Sequence, residues 1–582
     1  MRSFFKIFFA SLLALIIFSL LVVFFLITIA GSITAKDKPR VEAKSVLVLD
    51  LSQHYAEQEK QNPLSVISSE QRNVPGLYDV LRLINRAKTD KNISGIYVIA
   101  NNNPNGFAAS EELRNALKDF KSSNKFLLAH GDVITQKAYG VASVADKIYI
   151  SPQGYLEWSG YNVDYVFLKG TLQKLEIEPQ IFYAGKFKSA TEPFRADQMT
   201  PENELQTSVW LNDLYSDFLL KTAEVRKIDT AILHQLANDA KIQNATDAAN
   251  YKLVDGVKYD DQVKDEIKNK LGVDKYERLN FITINSYFAA RDISSGSGEK
   301  IALIYAEGDI VDGKSDEGIS AEHYRTLIRK ARLDRTIKAI VFRVNSGGGS
   351  SMASETIWRE LSLAKQEKPV VVSFGDVAAS GGYYISCAAD SIFALSTTIT
   401  GSIGVFGIIP NMQAFFKNKL GVTFDGVKTA PYADAGNIYR PMNEKEKQLV
   451  QANVNMIYAQ FKQRVADGRK KDTAYIDSIA QGRVWTGLRA KDIGLIDRFG
   501  GIEDAIQSAA SMAKLKEYRI REYPEPKNIF DQLFGKADPM NYADKMKSEL
   551  GEENYKIYQE MKRVKEMSNT VQARLPFQFF IH

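Results

Sequence analysis

Two glycine-rich loops carry the residue types in this sequence that are best suited to chemistry. Asn345-Ser346-Gly347-Gly348-Gly349-Ser350 follows an apolar run, and Ala378-Ala379-Ser380-Gly381-Gly382-Tyr383 also sits at the end of one. Glycines at strand ends let backbone N–H groups approach a substrate atom closely, and ligands of α/β sheets bind at the carboxyl ends of strands. Ser380 then opens a helix, where the Gly381 N–H, aided by the helix dipole, and a second N–H from Gly348 can hold a developing oxyanion. The residue type leaves two roles open for Ser380, because serine is also a preferred helix N-cap. A serine nucleophile needs a base, and none of the five histidines (His54, His130, His234, His323, His582) lies near either loop in sequence. The remaining candidate type is a lysine whose pKa is lowered by burial.

Other chemistries find little support. There is no HExxH pattern, no second cysteine and no acidic loop of metal-ligand spacing, so neither a metal nor a cofactor is expected. Cys387, among Ile385, Ala388 and Ala389, reads as a packed core thiol. Ser511-Met512-Ala513-Lys514 matches a Ser-x-x-Lys tetrapeptide, but Lys428-Thr429 is followed by Ala430, so the partner motif of that chemistry is missing. The 75 basic and 70 acidic residues are spread along the chain with no basic block, which argues against nucleic acid as a partner.

The elements that must position these loops come from a chain that contains itself twice. Residues 92–160 lie on residues 336–404 at a constant offset of 244 without a gap, so that Ala109-Ser110-Glu111 matches Ala353-Ser354-Glu355 and Gly131-Asp132-Val133 matches Gly375-Asp376-Val377. His130 falls opposite Phe374 and is therefore expected to be a structural strand-end residue. In each copy short β-branched runs (Val46–Leu51, Ile96–Ala100, Phe126–Ala129; Ile301–Tyr305, Ile340–Val344, Val370–Ser373) alternate with helical-length segments. That order predicts an α/β fold with parallel sheets covered on both faces. The expected domains are 44–290 and 299–523, joined by the flexible Ser294-Ser295-Gly296-Ser297-Gly298, and 524–582 is expected to form a helical tail used in docking or assembly.

Residues 1–35 are expected to be a membrane anchor. From Ile7 to Ala30 there are 24 residues without a charge. As a helix at about 1.5 Å per residue they would span about 36 Å, enough to cross a bilayer with some tilt. The run is longer than the apolar core of a cleaved leader and reads as an uncleaved anchor, although Ala30-Gly31-Ser32 has the small residues of a cleavage site. Arg2 and Lys6 before the run and Lys36, Lys38 and Arg40 after it leave orientation undecided by charge. A short leading tail followed by a long apolar run argues for the rest of the chain outside the cytoplasm.

The sequence resembles the tandem-domain signal peptide peptidases through Gly375-Asp376-Val377-Ala378-Ala379-Ser380-Gly381-Gly382-Tyr383, Arg343-Val344-Asn345-Ser346-Gly347-Gly348-Gly349, Thr400-Gly401-Ser402-Ile403-Gly404 and Lys188-Ser189-Ala190-Thr191-Glu192-Pro193-Phe194. The resemblance covers nearly all of the chain. It implies two Clp-protease/crotonase-like domains, Ser380 as nucleophile, Lys188 as general base and Ser402 as a hydroxyl that orients the lysine. It also implies a homotetramer in the bacterial inner membrane, its catalytic domains on the periplasmic side, acting on apolar peptides such as signal peptide remnants. One departure is Gly347, where that family usually has proline, a change expected to loosen the loop while leaving the Gly348 N–H available.

The internal alignment adds to this, because Ser380 falls opposite Gln136 and Lys188 opposite Ala433. Each copy keeps one half of a dyad, which predicts a site shared between copies. Two other readings remain at this level: a crotonase-type acyl-CoA enzyme that uses the same paired N–H groups on a thioester, and a catalytically silent membrane scaffold in which Ser380 only caps a helix.

Overall fold

The computed structural model describes residues 4, 6–19, 21, 39–59, 74–290, 297–315, 318–525 and 571–575. The first copy builds a wholly parallel sheet from β1 (Ser45–Asp50), β2 (Ile93–Ile99), β3 (Phe126–Ile134), β4 (Lys147–Leu156), β6 (Gly256–Val257) and β7 (Phe281–Thr283), in the order β6-β4-β3-β2-β1-β7. The second copy builds the matching sheet from β8 (Glu299–Glu307), β11 (Ile337–Ser346), β13 (Val370–Ala379), β15 (Ile399–Gly401), β17 (Val484–Thr486) and β19 (Tyr518–Tyr523), in the order β17-β15-β13-β11-β8-β19. Beside β13 lie β14 (Ser391–Ala394) and β18 (Arg498–Phe499), and only the β15–β17 pair is antiparallel.

The central strands are buried along almost their whole length, as β11 with its Ala339-Ile340-Val341-Phe342 run illustrates. Burial on both faces is what a continuous apolar strand demands, and helices supply the cover. Leu77–Thr89 and Phe107–Phe120 pack on the first sheet, Ala321–Leu333 and Ser351–Lys365 on the second. The expected α/β architecture with parallel sheets is thus present. The internal offset holds in space, since β2 and β3 fall opposite β11 and β13, and helix Phe107–Phe120 opposite Ser351–Lys365.

A third sheet crosses between the copies. It runs β10 (Ile319–Ser320), β9 (Ile310–Val311), β12 (Gly348–Ser350), β20 (Val571–Arg574), β16 (Val405–Asn411), β5 (Glu178–Ala184). Here β5 of the first copy pairs antiparallel with β16 of the second over seven residues, from Ala184 opposite Val405 to Glu178 opposite Asn411. Neither strand has a counterpart in its sister copy: the residues matching β16 lie near 161–167 and those matching β5 near 423–429, and both stretches lack strands. Each copy supplies the strand that the other does not form.

The copies are also joined by a buried ion cluster. Arg343 of β11 is fully buried and donates from Nε to Glu57 Oε2 at 2.8 Å and from Nη2 to Glu112 Oε1 at 2.6 Å, both acceptors belonging to the first copy. Its Nη1 donates to Ser373 Oγ and the Phe374 carbonyl, so four of the five guanidinium N–H groups are engaged.

Two expectations fall largely outside the described residues. Among the described residues no helix is long and apolar enough to cross a membrane. Residues 6–19 are helical and exposed, whereas 22–30, the remainder of the anchor expected over 7–30, lie outside the described residues. The tail expected to be helical is, in its described part, a strand: β20 finds its backbone partners on β12 and β16 instead of within itself. The charged stretch 542–567 lies outside the described residues, as does most of the linker 294–298.

Candidate active site

The end of β13 delivers Ser380 in a conformation that a cap residue does not need. Its φ of 54° and ψ of −116° are strained for a residue with a Cβ, and its side chain makes no capping hydrogen bond to the helix Gly381–Ser386. The capping role left open by sequence is therefore not the one it plays. The backbone is pinned there by Ser380 N–H donating to the Gly401 carbonyl at 2.8 Å and Tyr384 N–H donating to the Ser380 carbonyl at 2.8 Å. This sharp strand-to-helix turn pushes the hydroxyl off the end of the sheet, a geometry also built around nucleophilic serines of other α/β enzymes.

Lys188 arrives from the first copy just beyond β5. Its Nζ lies 2.8 Å from Ser380 Oγ, 3.0 Å from Ser402 Oγ and 3.1 Å from the Ser402 carbonyl oxygen. All three residues are buried, Lys188 to 1% exposure and both serines completely. Desolvation by burial pushes the Lys188 amine well below its ordinary pKa. A neutral amine has two N–H groups and one lone pair. In that neutral form the two donors would be matched by the two Ser402 oxygens, and the lone pair would be left for the Ser380 hydroxyl.

The backbone that carries Lys188 rests on the second copy. Phe187 N–H donates to the Gln481 carbonyl at 2.8 Å, and Gly482 N–H to the Ile403 carbonyl at 2.8 Å. Gly482 has φ of +74°, and a Cβ on it would lie 2.7 Å from Lys188 Cβ, so close approach and backbone conformation both require glycine. Gln206, from the long helix Pro201–Arg226, ties the two copies again: its Nε2 donates to the Phe187 carbonyl at 3.1 Å and its Oε1 accepts from Val484 N–H at 3.1 Å. Ser402, with φ of 51°, is held by its N–H donating to the Arg483 carbonyl at 2.7 Å.

Gly348 and Gly381 lie against one another beside Ser380. Gly348 has φ of +98°, and a Cβ there would come within 2.6 Å of the Gly381 nitrogen. The Gly348 N–H, expected from the sequence to be available, already donates to Ser346 Oγ at 3.1 Å, so an oxyanion would share or take over that donor. All five residues singled out in the sequence, Lys188, Gly348, Ser380, Gly381 and Ser402, are thus brought to one place. Those set aside stay apart from it. His130 is buried on β3 with Nε2 3.2 Å from the Lys258 carbonyl oxygen, and the Cys387 thiol is buried with its pKa pushed up to about 12 by desolvation. Among the described residues no cluster of side chains fits a metal ion.

Sequence reasoning missed Gln206, Gly482 and β20. Gln206 and Gly482 carry no motif and are recruited only by the pairing of the copies. The strand β20 is discussed below.

The chain is similar to several known proteins. It is 36% identical over 513 residues to "Protease 4" of Salmonella typhi, covering 84% of this chain and 82% of that one. It is 31% identical over 441 residues to "Serine protease SPPA, chloroplastic" of Arabidopsis thaliana, with 74% and 64% covered. A "Putative signal peptide peptidase SppA" of Enterococcus faecium matches at 35% identity over 233 residues, 39% of this chain and 67% of its own. The model of peptidase family S49 matches twice, over residues 119–274 and 362–516, one match in each copy. With a family match in both halves and a relative of this identity along most of its length, the chain belongs to peptidase family S49.

Proposed function

We propose that this chain is a membrane-anchored serine endopeptidase in which Ser380 is the nucleophile and Lys188 the general base, acting on cleaved signal peptides and other apolar peptides. The observation that carries the proposal is the 2.8 Å approach of a buried, charge-unpaired Lys188 Nζ to Ser380 Oγ. Serine is unreactive at its free pKa and needs a base at hydrogen-bond distance. A desolvated lysine is such a base once it is neutral. The hydroxyl proton passes to Nζ as Oγ attacks the scissile carbonyl. The oxyanion is met by the N–H groups of Gly381 and Gly348, and the lysine then gives its proton to the leaving amine. Water repeats the sequence on the acyl-enzyme, and Ser402 keeps Nζ aimed throughout.

The serine-protease and signal-peptide names of the relatives support the reaction and substrate class. The uncharged run 7–30 supports a single anchor in the bacterial inner membrane, which would set the site beside the bilayer on its periplasmic side, near leader remnants. The resemblance to tandem signal peptide peptidases extends the proposal to a homotetramer.

A fluorophosphonate probe tests it on the full chain. Wild type is expected to label at Ser380 and to hydrolyse apolar leader peptides faster than charged ones, and both Ser380→Ala and Lys188→Ala to do neither while keeping their folded circular dichroism. Labelling that persists in Ser380→Ala would discard the nucleophile, and equal rates on charged and apolar peptides would discard the substrate class.

A further inference from the structure

One side chain of the first copy is hydrogen-bonded to the mounts of both Lys188 and Ser402. Gln206 is buried in the second turn of helix Pro201–Arg226. Between it and Ser402 lies the Arg483–Val484 peptide group, whose carbonyl accepts from Ser402 N–H at 2.7 Å and whose N–H donates to Gln206 Oε1 at 3.1 Å. From the other end of the same amide, Nε2 donates to the Phe187 carbonyl at 3.1 Å and to Ser189 Oγ at 3.0 Å, so it grips the chain on both sides of Lys188. The Phe187–Lys188 peptide continues the line, with Lys188 N–H donating to the Gly185 carbonyl at 3.0 Å. A row of hydrogen bonds thus runs from Ser402 of the second copy to Gly185 of the first, through two backbone peptides and one side-chain amide.

The direction of that amide is fixed at both ends. Val484 N–H needs an acceptor and the Phe187 carbonyl needs a donor, so turning the amide over would set donor against donor and acceptor against acceptor. The groups behind it demand the same orientation. Buried Glu192 accepts from Thr200 Oγ1 at 2.5 Å and from Asn203 Nδ2 at 3.0 Å. Asn203 is left with Oδ1 toward Gln206, 3.1 Å from Nε2, as a third acceptor sharing its two N–H groups.

The sister copy supplies a comparison. Helix Glu444–Arg469 has the same 26 residues as Pro201–Arg226, and its cap Asn443 stands opposite Thr200. In that helix the position of Gln206 is taken by Leu449, which is half exposed, and in that copy Ala433 stands opposite Lys188. The helix therefore forms without the glutamine, and of the two copies only the one with a lysine to hold has the amide.

We infer that Gln206 is a positioning residue for the Ser380/Lys188 reaction, acting through Lys188 and Ser402 rather than on the reacting atoms. The inference rests on the dyad reading above. A lysine carries its amine on a flexible four-carbon stem, so contacts at Nζ aim it only while the backbones of Lys188 and Ser402 keep a constant separation. Gln206 sets that separation from behind. Without it the two mounts can shift, and a base displaced by about 1 Å can lose about a hundredfold in rate.

The test compares full-length wild type, Gln206→Met, Ser402→Ala and Lys188→Ala in mild detergent by hydrolysis of an apolar reporter peptide, fluorophosphonate labelling and thermal unfolding. Gln206→Met keeps the length of the side chain and removes both polar ends. It is expected to stay folded, to lower kcat and the labelling rate of Ser380 by about tenfold to a hundredfold, and to leave KM within about twofold. Combined with Ser402→Ala it is expected to cost less than the product of the two single losses, because both changes release the same amine. A folded Gln206→Met with wild-type kcat, or losses that multiply in full, would overturn the positioning role and leave the dyad reading standing. Lys188→Ala that labels as fast as wild type would remove that reading and this inference with it. Gln206→Glu reads the same contacts through pH, since its carboxylate has no donor for the Phe187 carbonyl and its protonated form has one. Its rate relative to wild type is expected to be higher at mildly acidic than at alkaline pH, and a ratio constant with pH would overturn the role.

Discussion

Lys188 Nζ meets both oxygens of Ser402, the hydroxyl at 3.0 Å and the carbonyl at 3.1 Å, so that one residue of the second copy aims the amine of the first. Removing the hydroxyl leaves one of the two anchors. Ser402→Ala is therefore expected to lower kcat by about tenfold to a hundredfold with KM little changed, since a base displaced by about 1 Å can lose that much. Steady-state kinetics on a reporter peptide check this, and a KM effect with kcat intact would make Ser402 a substrate-binding residue instead.

Activity should depend on pH through Lys188. Burial lowers its folded pKa well below the ordinary lysine value, and the working form in the proposed mechanism is the neutral amine. Activity is accordingly present above that lowered pKa and lost as pH falls through it, giving an acid limb in kcat/KM. Measured with chemistry rate-limiting, a profile flat from mildly acidic to alkaline pH would remove lysine as the base.

The contact between Lys188 and Ser380 forms within one chain, although the two residues are 192 positions apart. Mixed full-length Ser380→Ala and Lys188→Ala proteins should then remain inactive, even if they assemble together. Recovery of a quarter or more of wild-type turnover on co-expression would show that neighbouring chains exchange the base.

Arg343 is expected to hold the two copies in register. Arg343→Met strands the buried carboxylates of Glu57 and Glu112, and losing one partner of a buried ion cluster costs about 3–5 kcal/mol. Denaturant unfolding should record that loss. Adding Glu57→Gln and Glu112→Gln should recover most of it, and a single Arg343→Met variant as stable as wild type would refute the role.

Much of the site was legible because its second half is local in sequence. Ser380, Gly381 and Gly348 stand in two glycine loops that end consecutive strands of one sheet, and strand periodicity alone brings such loops together. Lys188 was legible only through family resemblance and the repeat alignment, since nothing around it marks it among the chain's other lysines. The choice between cap and nucleophile at Ser380 needed backbone angles that residue type does not specify. Pairing of β5 with β16 was illegible for a similar reason: a strand whose partner lies in the sister copy has no neighbouring strand in sequence to announce it. The four residues of β20 alternate too briefly to be told from a loop, and only the open edges of β12 and β16 make them a strand.

The exchange of strands between copies also sets a clock on biosynthesis. A ribosome releases Lys188 and β5 long before β16 exists to receive them, and the lysine has no seat until Gln481 and Gly482 of the 582-residue chain have emerged. Between the emergence of Ser380 and that of Gln481 the nascent polypeptide thus carries both residues of the proposed dyad without the seat that joins them.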